Sequence, residues 1–388
     1  MRESRQRICL CMIVKDEAAV IERCLQSVQP LIDHWVIVDT GSTDSTRELI
    51  SQQLAHLPGL LGERPWQDFA SNRNQALALA REFLKTQSTQ GGAANRDYLL
   101  LIDADEALEL PTNFQLPPLS QPAYDFQMRY GDLSYARTSL IAADVDWAYV
   151  GVLHEYLQCA QQAVPTLLPG LSVRVRAEGA RSRNPRKFHD DAALLEAALK
   201  RDPDNSRDQF YLAQSYRDAG ETDAALSAYQ RRAAMPGWDE ERWYALLQVA
   251  LLTERLHGES QPAAVLDAYQ QAYQTRPSRA ETLVEQARWH RLRSEFPAAL
   301  LCARAAAQIP LTDDRLFIDL ACYGWRALDE WSIAAWYCGC LAEGAEVMQR
   351  LLRLPPPSGE LPRVRANLGF YQSRGFALEV DVSGVDSA

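Results

Sequence analysis

The chain has 388 residues, 47% hydrophobic and 23% charged, an ordinary globular composition long enough for two or three domains. Forty Lys+Arg face 51 Asp+Glu, and the net charge of −11 leaves no basic surplus for nucleic-acid phosphates or anionic lipid. No apolar run approaches the roughly 18–20 residues of a membrane span. ICLCMIV, after the basic start MRESRQR, is too short for the apolar core of a signal peptide, so the expected compartment is the cytoplasm. The eight cysteines form no CxxC pair and read as free thiols, mostly buried, rather than as a zinc site or disulfide framework.

The first half alternates short β-rich runs with helical stretches. Residues 8–15 (ICLCMIVK) make a strand, and residues 18–29 follow with helical spacing of Val20, Ile21, Leu25 and Val28. Residues 35–39 (WVIVD) make a second strand. Ser42 or Thr43 then caps a helix running to Leu54, with Asp44 and Glu48 near its positive end. An alanine-rich helix covers 69–85, and residues 98–103 (YLLLID) form a third buried strand. Strands that are apolar on both faces and alternate with helices predict a parallel α/β sheet. Residues 124–129, 138–142, 155–159 and 171–177 read as shorter strands that extend this sheet with mixed direction.

From about Asp190 the texture turns helical and repeats. Ala213, Tyr216, Gly220, Ala225 and Tyr229, with Pro236 behind them, have tetratricopeptide spacing. The phase returns at Ala250, Val265, Tyr269, Ala272 and Pro277, after an insertion at 257–262, and again at Ala287, Ala299, Ala303, Ala306 and Pro310. A weaker pair covers 316–352, with Ala334 and Ala335. One helix pair cannot bury its own apolar face, so the copies must stack. The expected division is an α/β domain at 1–185, helical repeats at 186–375 and a tail at 376–388, with a loop at 355–357.

The chemistry-bearing residues gather at strand ends. Leu99–Glu106 (LLLIDADE) ends a buried strand in three acids, at the sheet edge where α/β proteins bind ligands. Asp103 and Asp105 can hold a divalent cation and, through it, a diphosphate; a solvated acidic loop is the alternative. Asp39, in VIVDTGSTD, can accept hydrogen bonds from a base or ribose, or can close a turn and cap. Asp16 and Glu17 close the first strand. Arg73, in FASNRN, can pair with phosphate or with Asp39, and Arg137 is a further charged partner. In GVLHEYL, His154 is a candidate metal ligand and Glu155 a candidate base, unless the pair is structural. Adjacent residues of a regular strand point to opposite faces, so a loop opened by Gly151 is expected here.

Taken in order, MIVKDE, VDTGSTD, FASNRN, LLLIDADE and GVLHEYL resemble glycosyltransferase family 2 enzymes. FYLAQSY, DEERWYALLQ and RVRANLGFY resemble the bacterial subgroup with tetratricopeptide repeats behind the transferase domain. The chain departs from the family at GGAANRDY, where members carry glycine and tryptophan before the acidic strand, and it shows no clear ED motif. The resemblance implies a GT-A nucleotide-diphospho-sugar fold and inverting transfer with Mn²⁺ or Mg²⁺. The donor would be a nucleoside-diphosphate sugar, first a UDP-sugar, and the acceptor a protein, peptide or glycan met through the repeats. By residue, it implies Asp39 at the nucleobase with Asp16 or Glu17 nearby, and Asp103 at ribose and metal. Asp105 would ligate the metal and His154 would complete the metal or diphosphate site. Glu155 is the first candidate base, with Asp132 and Asp146 behind it. A non-catalytic interaction scaffold with a degenerate transferase domain is the alternative. A nucleotidyltransferase ranks lower, because the first strand is followed by MIVKDEAAV without a glycine-rich loop.

Overall fold

The computed structural model describes residues 6–87, 96–354 and 356–378. The expected tail beyond 378, Pro355 of the expected loop and the GGAAN part of the family departure lie outside the described residues. Two compact units divide between Ala228 and Tyr229.

In the first unit the elements run β1 (Ile8–Val14), α1 (Ile21–Val28), β2 (His34–Asp39), α2 (Thr46–Gln53), β3 (Gly59–Glu63), α3 (Phe69–Thr86) and β4 (Tyr98–Leu101). Then come β5 (Ala107–Glu109), β6 (Ala123–Tyr130), β7 (Leu133–Ala142), β8 (Trp147–Val150), β9 (Tyr156–Cys159), β10 (Thr166–Arg174), α4 (Lys187–Arg201) and α5 (Ser206–Ala219). The sheet order is β3–β2–β1–β4–β7–β6–β10–β5, parallel from β3 to β4 and antiparallel where β4 meets β7 and β7 meets β6.

Strand residues alternate between two cores, which is why the runs are apolar throughout. Ile8, Leu10, Met12 and Ile37 pack with Ile21, Leu25 and Val28 of α1. Cys9, Cys11, Val36 and Val38 pack with Ala76, Leu77, Ala80 and Leu84 of α3. All eight cysteines are free thiols.

The structure corrects several expected elements. Residues 155–159 do not extend the sheet; β9 pairs with β8 in a separate two-stranded hairpin, whose Trp147 and Cys159 bury on the α3 side. β3 went unread because GLLGE is short and mostly half-exposed. The cap of α2 also differs. Ser42 Oγ accepts the Asp16 amide at 2.9 Å, and Thr43 donates to Asp16 Oδ1, while Asp44 accepts the Thr46 amide at 3.0 Å and starts the helix.

α6 (Thr222–Ala234) spans the division between the units. Beyond it, the second unit holds α7 (Asp239–His257), α8 (Pro262–Thr275), α9 (Glu281–Leu292), α10 (Phe296–Ala306), α11 (Leu320–Tyr323), α12 (Trp325–Tyr337), α13 (Leu341–Leu352) and α14 (Leu361–Ser373). The phased small and aromatic residues are the buried ones: Ala250, Val265, Tyr269, Ala272, Ala287, Ala299, Ala303 and Ala334 are all fully buried. Helices α7–α8, α9–α10 and α12–α13 pack as successive hairpins. Arg–carboxylate pairs join the first helices of neighbouring hairpins: Arg288 with Glu254, Arg326 with Glu285 and Arg291 with Glu330.

Close helix approach gives a stability prediction. A Cβ at Gly344 would lie 2.0 Å from Tyr371 Oη, a buried hydroxyl that donates to the Ser332 carbonyl at 2.6 Å. Gly344→Ala is expected to destabilise the protein by about 2 kcal/mol through overpacking, read by urea denaturation. An unchanged denaturation midpoint would contradict this packing.

Candidate functional site

Because β1, β2 and β4 run parallel, their C-terminal ends share one sheet edge. Val14 stands opposite Asp39, and Cys11 opposite Leu101. Asp16, Glu17, Asp39 and the Asp103–Glu106 run are therefore delivered to the same edge.

Two arginines organise the acids. Arg73, on α3, donates through Nη2 to Asp103 Oδ1 at 2.7 Å and through Nε to Glu155 Oε1 at 2.6 Å. Its guanidinium lies 5.4 Å from the Tyr149 ring centroid. Arg137, on β7, grips both oxygens of Glu106 at 2.7 and 2.5 Å and sits 3.6 Å from Asp103. Burial alone would raise the Asp103 pKa, but the two guanidinium groups outweigh it and hold that carboxyl below its ordinary range. Glu106, only 3% exposed, also accepts the Asp103 amide at 3.0 Å, so it fixes the loop that carries the acids. Arg73 thus pairs with Asp103 and Glu155 and not with Asp39.

The neighbours of Arg73 in FASNRN have separate work. Asp68 accepts the Ser71 amide at 2.7 Å and starts α3. Asn72 is buried and accepts the Gln67 amide at 2.9 Å. Asn74 brackets Tyr149, accepting its amide at 2.7 Å and donating to its carbonyl at 2.9 Å. Sequence reasoning passed over Asn72 and Asn74; two amide side chains flanking an arginine at a helix start were the available signal.

Asp105 and Glu17 form a different pair. Asp105 Oδ2 accepts the Gly179 amide at 3.2 Å, and Glu17 accepts the Ala180 amide at 3.1 Å. A Cβ at Gly179 would lie 3.0 Å from Asp105 Oδ2 and 3.3 Å from Glu17 Oε1, so both carboxylates converge on one backbone point. Burial, then the neighbouring Asp103, raises the Asp105 pKa. Burial pushes Glu17 up to about 7, with Asp105 and Asp103 adding to the effect. An oxygen-only pair of crowded carboxylates fits a hard divalent cation, which takes one or two protein carboxylates and completes its shell with substrate phosphate and water. Among the described residues no group of three or more His, Cys, Asp and Glu side chains converges as a metal cluster.

The remaining candidates have other partners. Asp39 is buried and spends its carboxylate on its own turn, accepting the Gly41 and Ser42 amides at 3.1 Å. Asp16, at a positive φ of 55°, is held by Thr43. Asp132 is exposed in the tight turn joining β6 and β7. Asp146 is almost fully exposed beside Arg81. His154 makes no hydrogen bond or ion pair with Asp103 or Asp105; its ring stacks on Tyr211 of α5, with centroids 4.0 Å apart. Desolvation at that seat and then the cations Arg181, Arg207 and Lys187 lower its pKa. The loop between β8 and β9 is irregular, as expected, with Gly151 at φ 112° and His154 at φ 50°.

Arg137→Met is expected to cost about 3 kcal/mol, because it strands the buried Glu106 carboxylate. Glu106→Gln added to that variant should recover part of the loss. Both are read by chemical denaturation, and a wild-type midpoint for Arg137→Met would show that the pair contributes nothing.

Residues 9–112 match the family model described as glycosyl transferase family 2. A TPR repeat-containing protein of Synechococcus elongatus is 36% identical over 141 residues, 34% of this chain and 30% of the relative. An uncharacterised glycosyltransferase of Rickettsia felis is 30% identical over 103 residues, 26% of this chain and 30% of the relative. The chain thus spans about a third of the length of the curated relatives it matches. A solved TPR protein of Thermus thermophilus is similar over 47% of this chain and 91% of its own, at 16% identity and a TM-score of 0.34. The sheet's parallel half, with its acidic edge, thus lies within the segment, residues 9–112, that matches the glycosyl transferase family 2 model, and helices follow it in the chain.

Proposed function

We propose that the chain is a metal-dependent inverting glycosyltransferase, moving a sugar from a nucleoside-diphosphate donor to a protein or glycan acceptor. The observation that carries this reading is the Asp105–Glu17 carboxylate pair, at the C-terminal edge of a parallel sheet, beside the arginine-framed Asp103 and Glu155. Asp105 and Glu17 would hold Mn²⁺ or Mg²⁺. Bound there, the cation supplies neutralising charge to a diphosphate leaving group. Asp103, oriented by Arg73 and Arg137, would meet the donor's ribose. Asp39 and Asp16 shape the nucleobase end by fixing the turn at Gly41–Thr43.

Glu155 is assigned as proton acceptor. Arg73 fixes its Oε1, while Oε2 takes no hydrogen bond from any described residue. The acceptor's hydroxyl oxygen forms a bond to the anomeric carbon as the bond to the diphosphate breaks. The electron pair of that bond leaves with the diphosphate, and the hydroxyl proton passes to Oε2. Attack from the face opposite the leaving group inverts the centre. Its contribution comes from its position beside the reacting hydroxyl. The helical repeats are assigned to acceptor recruitment, in keeping with the concave surfaces stacked repeats present.

Asp105→Asn is expected to weaken Mn²⁺-dependent binding of the donor at least tenfold in calorimetric titration, and Glu17→Gln to act in the same direction. Unchanged binding in both would contradict the cation assignment. Glu155→Gln should lower kcat by about 10²-fold or more while donor affinity stays within twofold. Near-wild-type kcat in that variant would remove Glu155 as the base.

A further inference from the structure

Three consecutive residues of the β8–β9 loop are each tied to a different partner. Leu153 is 3% exposed and packs with Ala192, Leu195 and Leu199 of α4 and Leu212 of α5. His154 lays its ring flat on Tyr211 of α5, 7° from parallel, and its carbonyl accepts from Arg207 Nη2 at 3.0 Å. Arg207 also lies 4.9 Å from the Tyr211 ring centroid and donates to its hydroxyl at 3.3 Å. Glu155, next in the chain, turns away to Arg73.

The backbone between them leaves the extended form. His154 sits at φ 50°, a left-handed conformation uncommon for non-glycine residues although histidine takes it more readily than most. Gly151, at φ 112°, gives the loop its turn but no anchorage. The anchorage comes from α4 and α5, which belong to the same compact unit as the sheet.

We propose that the α4–α5 hairpin is a working part of the transferase, with Tyr211 and Arg207 as positioning residues that fix His154 and thereby present the Glu155 carboxylate to Arg73 and the acceptor. This rests on the proposed transferase reading for its catalytic consequence, though not for its structural one. The route is short and physical: helix α5, the ring and carbonyl of His154, one peptide bond, then the Glu155 carboxylate. Loss of the ring stack frees the left-handed residue to relax, which moves Glu155 without touching Asp105 or Glu17. The hairpin therefore governs turnover and leaves donor binding alone.

The test uses the full chain with Tyr211→Leu, Tyr211→Phe and Arg207→Gln, measuring kcat, donor affinity and the His154 ring-proton resonances, which Tyr211 displaces upfield and which His154→Gln assigns. Tyr211→Leu is expected to abolish the upfield displacement and lower kcat at least tenfold with donor affinity within twofold. Tyr211→Phe keeps the ring and should restore both. Arg207→Gln, at a half-exposed position, should lower kcat at least threefold, and it decides the matter if Tyr211→Leu does not fold. Wild-type kcat in the folded variants, donor affinity falling in step with kcat, or Tyr211→Phe behaving like Tyr211→Leu would each overturn the proposal. If the wild-type protein transfers no sugar, the transferase reading fails. The hairpin's hold on the loop is then judged by the resonances alone: their persistence in Tyr211→Leu overturns it, and their loss there with return in Tyr211→Phe supports it.

Discussion

The Arg73 guanidinium ties together three pieces of chain that are far apart in sequence: helix α3, the acidic end of β4 and the β8–β9 loop. It is only 18% exposed, so its two carboxylate bonds are poorly screened and costly to break singly. The buried Arg137–Glu106 pair supports it from the other side by fixing the same acidic loop. Together the two arginines satisfy Asp103, Glu106 and Glu155. Acids still outnumber cations at this edge, and the surplus falls on Asp105 and Glu17. Their pKa values rise there, and neither has a salt bridge of its own among the described residues. Both are half-buried and accept backbone amides, which are weak compensation for a partly desolvated negative charge. A divalent cation with a diphosphate is the chemistry that such a surplus suits.

Much of this was readable in the residues. The two-faced apolar runs gave β1, β2 and β4, and a strand ending in DADE gave the acidic edge, because a buried strand can release charges only at its end. The small-residue phase beyond Asp190 also read through, since Ala250, Ala272, Ala299 and Ala303 are buried where hairpins pack. Pairings were not readable. Nothing in FASNRN says that Arg73 reaches Asp103 and Glu155 instead of Asp39, because those contacts depend on how α3 crosses the sheet. Asp39 looked like a ligand group, yet its carboxylate closes its own turn, a local bond that competes with any ligand. Ser42 and Thr43 looked like caps and instead hold Asp16.

His154 shows the limit of motif reading. Beside a glutamate at a strand end it reads as a metal ligand. Tertiary packing turns its ring to Tyr211 instead, in a helix more than fifty residues away, and leaves the adjacent carboxylate to Arg73. The change of texture near residue 185 marks where the strands of the first unit end. The compact unit runs on to Ala228, because α4 and α5 bury Leu153 and stack on His154.

The central claim is that the β4 edge binds a nucleoside diphosphate through a cation held by Asp105 and Glu17. Thermal unfolding of the full chain with a panel of nucleoside diphosphates and their sugars, with and without Mn²⁺, tests it most directly. The account predicts stabilisation by at least one nucleotide that requires Mn²⁺ and disappears in Asp105→Asn. Stabilisation of equal size in EDTA, or its persistence in Asp105→Asn, would contradict it.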